Sequence, residues 1–210
     1  MLQIIIYLTA YIIGVVLGSF FTLATYRIPL KQDITHKRSY CPRCNHELGF
    51  WDLIPILSYL FLGGKCRYCK EKYGARYIII EFFSGLFYLL FIVSLKIDFL
   101  RLSVTQIMQI LNGTLLISVL FIIGGIAKET GRISRGTAFF GVICQIVYMV
   151  YLCILKLNIY RYIMYLLISF LCGLVLATCI YYISKKKLNL IYYFCFLSIL
   201  SLIITNFIYK

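Results

Sequence analysis

Six apolar stretches, each about as long as a helix needs to cross the hydrocarbon core of a bilayer, occupy most of this 210-residue chain. They fall at about residues 4–26, 77–95, 104–126, 138–155, 162–183 and 188–208. With 62% hydrophobic residues and seven acidic ones, the chain has more apolar side chain than a water-soluble core takes up. It is also far too apolar to stay in solution as a disordered segment. The expected fold is an all-α polytopic membrane protein with about six transmembrane helices, since only helices and closed barrels satisfy their backbone in lipid.

A net charge of +14 could suggest nucleic acid as a partner. Here, however, Lys and Arg gather between the apolar stretches, which is what membrane topology and anionic headgroups select. Membrane lipids are therefore the expected partner, and nucleic acid is not. Six spans put segments 27–76, 127–137 and 184–187 on one side, carrying ten, three and three basic residues. The other side holds Lys96, Arg101, Lys156, Arg161 and Lys210. The positive-inside bias then places segment 27–76 in the cytoplasm. The first apolar stretch lacks a basic leading region and is longer than a signal-peptide core, so an uncleaved helix is expected. Gly14 and Gly18, and later Gly173 with Ala177, have the small-residue spacing that lets helices approach closely, within one chain or in an oligomer. No internal repeat is evident. The expected divisions are a first helix at 1–26, a polar loop at 27–76 and a bundle of about five helices at 77–210.

The loop carries two Cys-x-x-Cys pairs, Cys41/Cys44 and Cys66/Cys69, with 21 residues between them. That spacing suits a four-thiolate zinc site in which each pair supplies two sulfurs from one tight turn. With all four positions filled by sulfur, no site is left for water or substrate, so the metal would be structural. Arg43, Lys65, Arg67 and Lys70 are expected to ease thiolate formation and offset its charge. His36 and His46 are expected to be solvated. The remaining cysteines, Cys144, Cys153, Cys172, Cys179 and Cys195, are scattered through the spans with no ligand spacing. Between the pairs, "DLIPILSYLFLGG" is too short to span a bilayer and reads as a short helix on the membrane face. Asp52 is expected to cap it, with Pro55 in its first turn and Gly63-Gly64 ending it.

Two blocks, "GSFFTLATYRIP" at 18–29 and "RSYCPRCNHELGFWDLIPILSYLFLGGKCRYCKEKYGARYIIIEFFSG" at 38–85, resemble the N-terminal part of the type IV prepilin peptidase family, the leader peptidases and N-methyltransferases of pilin precursors. The residues carrying the resemblance are Gly18, Ser19, Phe20, Tyr26, Arg27, the four loop cysteines, Asp52, Ile54, Pro55, Ser58, Arg76, Tyr77 and Glu81. The resemblance implies a bacterial cytoplasmic-membrane enzyme of type IV pilus or type II secretion systems. Such an enzyme cuts a basic leader from pilin-like precursors, then methylates the new amine with S-adenosylmethionine. Glu81 and Arg27 become candidates for holding substrate or the methyl-transfer groups.

The family's proteolysis needs two carboxylates at the cytoplasmic ends of two spans, one protonated while the other activates water. Here Ala127, in "IAKETGRISRGT", stands where the first acid belongs. The second motif, Gly-x-Gly-Asp, has no counterpart in "YYISKKKLNLIYY" at 181–193, and no carboxylate side chain follows Glu129. No catalytic acid is therefore assigned, and aspartyl peptidase activity is expected to be lost. Three readings remain: a surviving methyltransferase, a non-catalytic assembly or regulatory partner of a pilin or secretion system, and an active peptidase whose acids lie elsewhere.

Overall fold

The computed structural model describes residues 1–36, 38–183 and 189–209. The lysines of segment 184–187 and Lys210 lie outside the described residues. Among the described residues seven α-helices follow one another: α1 (Leu2–Arg27), a short α2 (Leu57–Leu62), α3 (Arg76–Ser94), α4 (Val104–Thr130), α5 (Arg135–Ile154), α6 (Ile159–Ile183) and α7 (Leu190–Tyr209). All but α2 are long and apolar enough to cross a membrane, which matches the six expected stretches. Among the described residues no strand forms, and Tyr40–Glu47 and Lys65–Lys72 make isolated antiparallel bridges.

The helix ends follow local rules. At the start of α4, the Ser103 hydroxyl accepts the Gln106 N–H while the Gln106 side chain accepts the Ser103 N–H, a reciprocal cap. The same helix stops at Gly131, whose φ of 69° suits glycine. Helices α1 and α3 lie side by side, and so do α6 and α7, with α4 touching both pairs and α5 packed on α4. The core between them is built from Phe21, Phe87, Tyr88, Phe91, Ile117 and Ile199.

Glycine spacing sets the first pair. A Cβ on Gly14 would stand 2.9 Å from the Gly85 Cα, and one on Gly18 would stand 2.9 Å from the Glu81 Cα. Gly173 meets Ser198 of α7 in the same way. These small residues thus serve packing inside the chain. The close approach of α1 and α3 has a positional consequence: the loop between them begins and ends on two touching helices.

At the membrane end away from the loop, a cavity of about 410 Å³ separates α4 and α5 from α6 and α7. Across it the Asn112 amide donates to the Tyr162 hydroxyl at 2.7 Å, a polar link between helices at membrane depth.

Candidate functional site

Two tight turns bring the loop cysteines together. In the first, the Cys41 N–H donates to the His46 carbonyl at 2.9 Å and the Asn45 N–H to the Cys41 carbonyl at 2.8 Å. In the second, Cys66 N–H donates to Glu71 and Lys70 N–H to Cys66, at 2.9 and 3.0 Å. Asn45 and Lys70 occupy equivalent left-handed positions, with φ of 56° and 59°. The two turns are one motif used twice, as the paired Cys-x-x-Cys spacing implies, and the left-handed residue that follows each pair is the part the residue identities conceal. Asn at such a position is common, whereas Lys is not a signal for it.

The four sulfurs lie within 4.8 Å of one another, with the Cys41 and Cys69 sulfurs 3.9 Å apart. Tetrahedral zinc with sulfurs about 2.3 Å away would set them about 3.8 Å apart, so the group could hold a zinc ion. Cys41 and Cys66 are buried, and Cys44 and Cys69 are exposed. Burial opposes ionisation of Cys41, but the N–H groups of Cys44 and Arg43 and the neighbouring thiols bring it down to about 7. At Cys69 the Glu71 N–H favours the thiolate, but burial and the three neighbouring thiols push it up to about 11. Neither histidine joins the group. His36 meets Asp33 at 3.1 Å, and His46 lies against the Tyr68 ring with centroids 3.6 Å apart. Arg43 and Arg67, expected to balance thiolates, are paired with carboxylates: Arg43 with Glu71 at 3.7 Å and Arg67 with Asp52 at 2.6 Å.

The loop is tied to α1 by Arg27. Its buried guanidinium donates to the Asp33 and Arg38 carbonyls, both at 2.9 Å, and lies 5.8 Å from the Tyr40 ring centre. The role of Asp52 differs from the expected one. It does not cap α2; it accepts the Gly49 N–H at 3.1 Å, the Arg67 side chain and the Tyr68 hydroxyl. Pro55 lies ahead of α2 rather than in its first turn, and Ile56 takes the cap position with no side-chain cap. The Gly63-Gly64 ending is present, with φ of 60° and 67°. Burial disfavours the Asp52 charge, but Arg67 and the Gly49 N–H hold its carboxyl below the usual carboxylate range. The stabilisation from this pair is present above pH about 4 and is lost as pH falls through the lowered value. Asp52→Asn should therefore weaken loop protection measured by limited proteolysis at pH about 8, where the pair is fully formed.

Glu81 sits in the second turn of α3, and its side chain is buried where α1 comes closest. Its Oε2 accepts the Ile56 N–H at 2.7 Å, and the Ser19 hydroxyl donates to the same carboxylate. Above it, a cavity of about 260 Å³ separates the four-cysteine loop from the helix ends. The faces around it include Tyr26, Tyr40, Tyr59, Tyr73 and Tyr77. Among the described residues, Glu81 makes no ion pair. The sequence carried no sign of the Ile56 contact, because 25 residues separate the partners.

Ala127, by contrast, is fully buried. Its carbonyl accepts the Gly131 N–H at 2.9 Å and the Asn189 amide. The Asn189 side-chain oxygen also caps α7 through Ile191 and Tyr192. Glu129 pairs with Arg76 at 2.5 Å. Asp98 accepts the Leu100 N–H at the opposite end of the spans. A cavity of about 150 Å³ beside the end of α4 is lined by Arg76, Lys128 and Tyr192 and by no carboxylate. Lys128 lies 5.0 Å from the Tyr192 ring centre.

Residues 12–95 match the family model described as the bacterial peptidase A24 N-terminal domain. The chain is 42% identical over 78 residues to a prepilin leader peptidase/N-methyltransferase of Vibrio cholerae, covering 33% of this chain and 31% of the relative. It is 40% identical over 78 residues to the protein of that description from Myxococcus xanthus, covering 37% and 23%. It is 28% identical over 129 residues to that of Klebsiella pneumoniae, covering 59% and 53%. The matches thus span about a third or less of the first two relatives' lengths. No solved structure matches the chain.

Proposed function

We infer, from the premise that through residues 12–95 this multi-pass bacterial membrane protein belongs to the type IV prepilin peptidase family, that it engages type IV pilin-like precursors at the cavity beneath the four sulfurs. One observation carries this reading. Every residue lining that cavity, from Ser19 to Glu81, falls inside the segment that matches the family. The four cysteines would hold zinc as a staple that shapes the cavity roof. The basic bias of segment 27–76 supports a cytoplasmic position for it, where the leader of a precursor would be met.

Methyl transfer is the chemistry that suits such a site. S-adenosylmethionine, when bound, supplies a methyl group on a cationic sulfur. Tyrosine faces together with a buried carboxylate fit a cation of that kind. Glu81 would take the proton of the bound ammonium and orient the neutral amine, with Ser19 fixing the carboxylate. The amine's new N–C bond would form as the S–C bond breaks, the sulfonium leaving as a neutral thioether. Arg27 acts differently in this reading. It positions the loop through the Asp33 and Arg38 carbonyls rather than touching substrate.

Peptidase chemistry is not part of the proposal. Ala127 offers no carboxylate, Glu129 is engaged by Arg76, and the neighbouring cavity presents cations. Asp52 and Glu81 do line one cavity, but Asp52 is held by Arg67 and Tyr68. The buried, capped Ala127 also favours a second reading, a non-catalytic partner in pilus or type II secretion assembly.

Intact mass measurement separates these readings. A pilin precursor and its processed form are incubated with the purified protein and S-adenosylmethionine. One added methyl on the processed form, with the leader retained on the precursor, is the expected result. A lost leader restores peptidase function, and no change on either supports the non-catalytic partner. Glu81→Gln should lower methyl transfer about 10- to 100-fold, the equivalent of one charge-assisted hydrogen bond. The same change should leave metal content unaltered.

A further inference from the structure

The turn ahead of α2 is strained, and the strain is tied to Glu81. Ile56 has φ 61° and ψ −54°, and the Leu57 N–H donates to the Pro55 carbonyl at 2.6 Å. This is a three-residue turn of the rare hand, costly for any side chain and more so for a β-branched one. The element that follows is held on its inner side by Tyr59, whose ring meets Tyr73 at 5.7 Å and whose carbonyl accepts the Gly64 N–H at 2.9 Å, while its outer side is exposed. Helix α2 is six residues long, and Leu57, Leu60 and Phe61 are 49, 62 and 85% exposed. At its other end Gly63 and Gly64 both sit at positive φ, a pair suited to act as a hinge. What offsets the strain is the 2.7 Å bond from the Ile56 N–H to the buried Glu81 carboxylate.

We propose that the Ile56 N–H is a placeholder at Glu81, and that α2 with its leading turn is a lid opened when a ligand's protonated amine takes that place. The inference rests on the cavity being the ligand site. A buried carboxylate that makes no ion pair among the described residues is better satisfied by an ammonium, with charge and three donors, beside the Ser19 hydroxyl than by one neutral backbone N–H there. Once displaced, Ile56 relaxes to an ordinary conformation, so strain release favours the open lid. Neutral or anionic ligands gain nothing from the exchange. The lid is therefore selective for amines through the residue it uncovers.

The test uses the full chain in detergent with its metal, and a short apolar peptide amide bearing a free N-terminal amine. The N-acetylated peptide is the control. Amide hydrogen exchange is followed over residues 50–62, together with emission from Trp51, the only tryptophan. The free amine should bind, speed exchange at Ile56 and shift Trp51 emission, while the acetylated peptide does none of these. Ile56→Gly keeps the N–H but removes the strain, so amine affinity should fall about fivefold. Binding accompanied by slower exchange over 50–62 would overturn the lid and leave the ligand site standing. Unchanged affinity in Ile56→Gly would overturn it equally. If neither peptide binds the metal-loaded protein, the lid and the site fall together.

Discussion

Cys66→Ser is expected to release the metal and unfold residues 39–73 while leaving the six long helices in place. The buried Cys66 donates its N–H to the turn that carries Cys69, and its sulfur faces three others within 4.8 Å. Cys41 and Cys66 are the buried hydrophobic residues among those described in the loop, so metal binding would supply the larger part of its folding energy. Structural zinc sites contribute about 10–16 kcal/mol in small peptides near neutral pH. Metal analysis should fall from about one zinc per chain to none. Limited proteolysis should cut between Tyr40 and Tyr73, and far-ultraviolet ellipticity should change little. A chelator should reproduce the effect in the unaltered protein. Protons should too, because they compete with metal for thiolates, so retention should fall as pH drops from about 8 to about 5. Retention of zinc by Cys66→Ser would remove the four-sulfur assignment.

Gly18→Ala is expected to destabilise the α1–α3 pair by about 1–3 kcal/mol, and Gly18→Leu by more. Even the first added carbon would lie 2.8 Å from the Ser84 Cβ and 2.9 Å from the Glu81 Cα, and neither neighbour can swing aside. The helices would have to separate, carrying Ser19 and Glu81 apart with them. Ligand binding at the cavity should therefore weaken along with thermal stability. Gly136→Ala is the matched control, since nothing lies within 4 Å of a Cβ there. Thermal unfolding in detergent measures both. Equal stability of Gly18→Ala and Gly136→Ala would show that α1 and α3 do not rely on close approach.

The six spans were legible because lipid imposes a length and a composition that few other constraints imitate. The gathering of the four cysteines was legible because each Cys-x-x-Cys spacing fits one tight turn that brings two sulfurs to one point. Polar contacts between distant segments were not legible. Asp52 carries every mark of a helix cap, yet Arg67, 15 residues on, and its own preceding turn claim it. A proline two residues before α2 invites a first-turn assignment, but Ile56 breaks the path between them with a turn its side chain disfavours. The clamp that Arg27 places on the Asp33 and Arg38 carbonyls likewise joins the end of α1 to the loop and has no mark in the sequence. In each case tertiary contact overrides the local preference.

The placement of cysteines along the chain has a consequence in time. All four sulfurs and every residue lining the Glu81 cavity precede α4, while Cys144, Cys153, Cys172, Cys179 and Cys195 follow it. A ribosome adding roughly 5–20 residues per second therefore exposes the two knuckles some seconds before another thiol exists on the chain. During that interval a metal ion reaching the loop would meet these four thiols before the five in the later helices. Order of synthesis would then favour metal loading by these four over mispairing with the cysteines still to come.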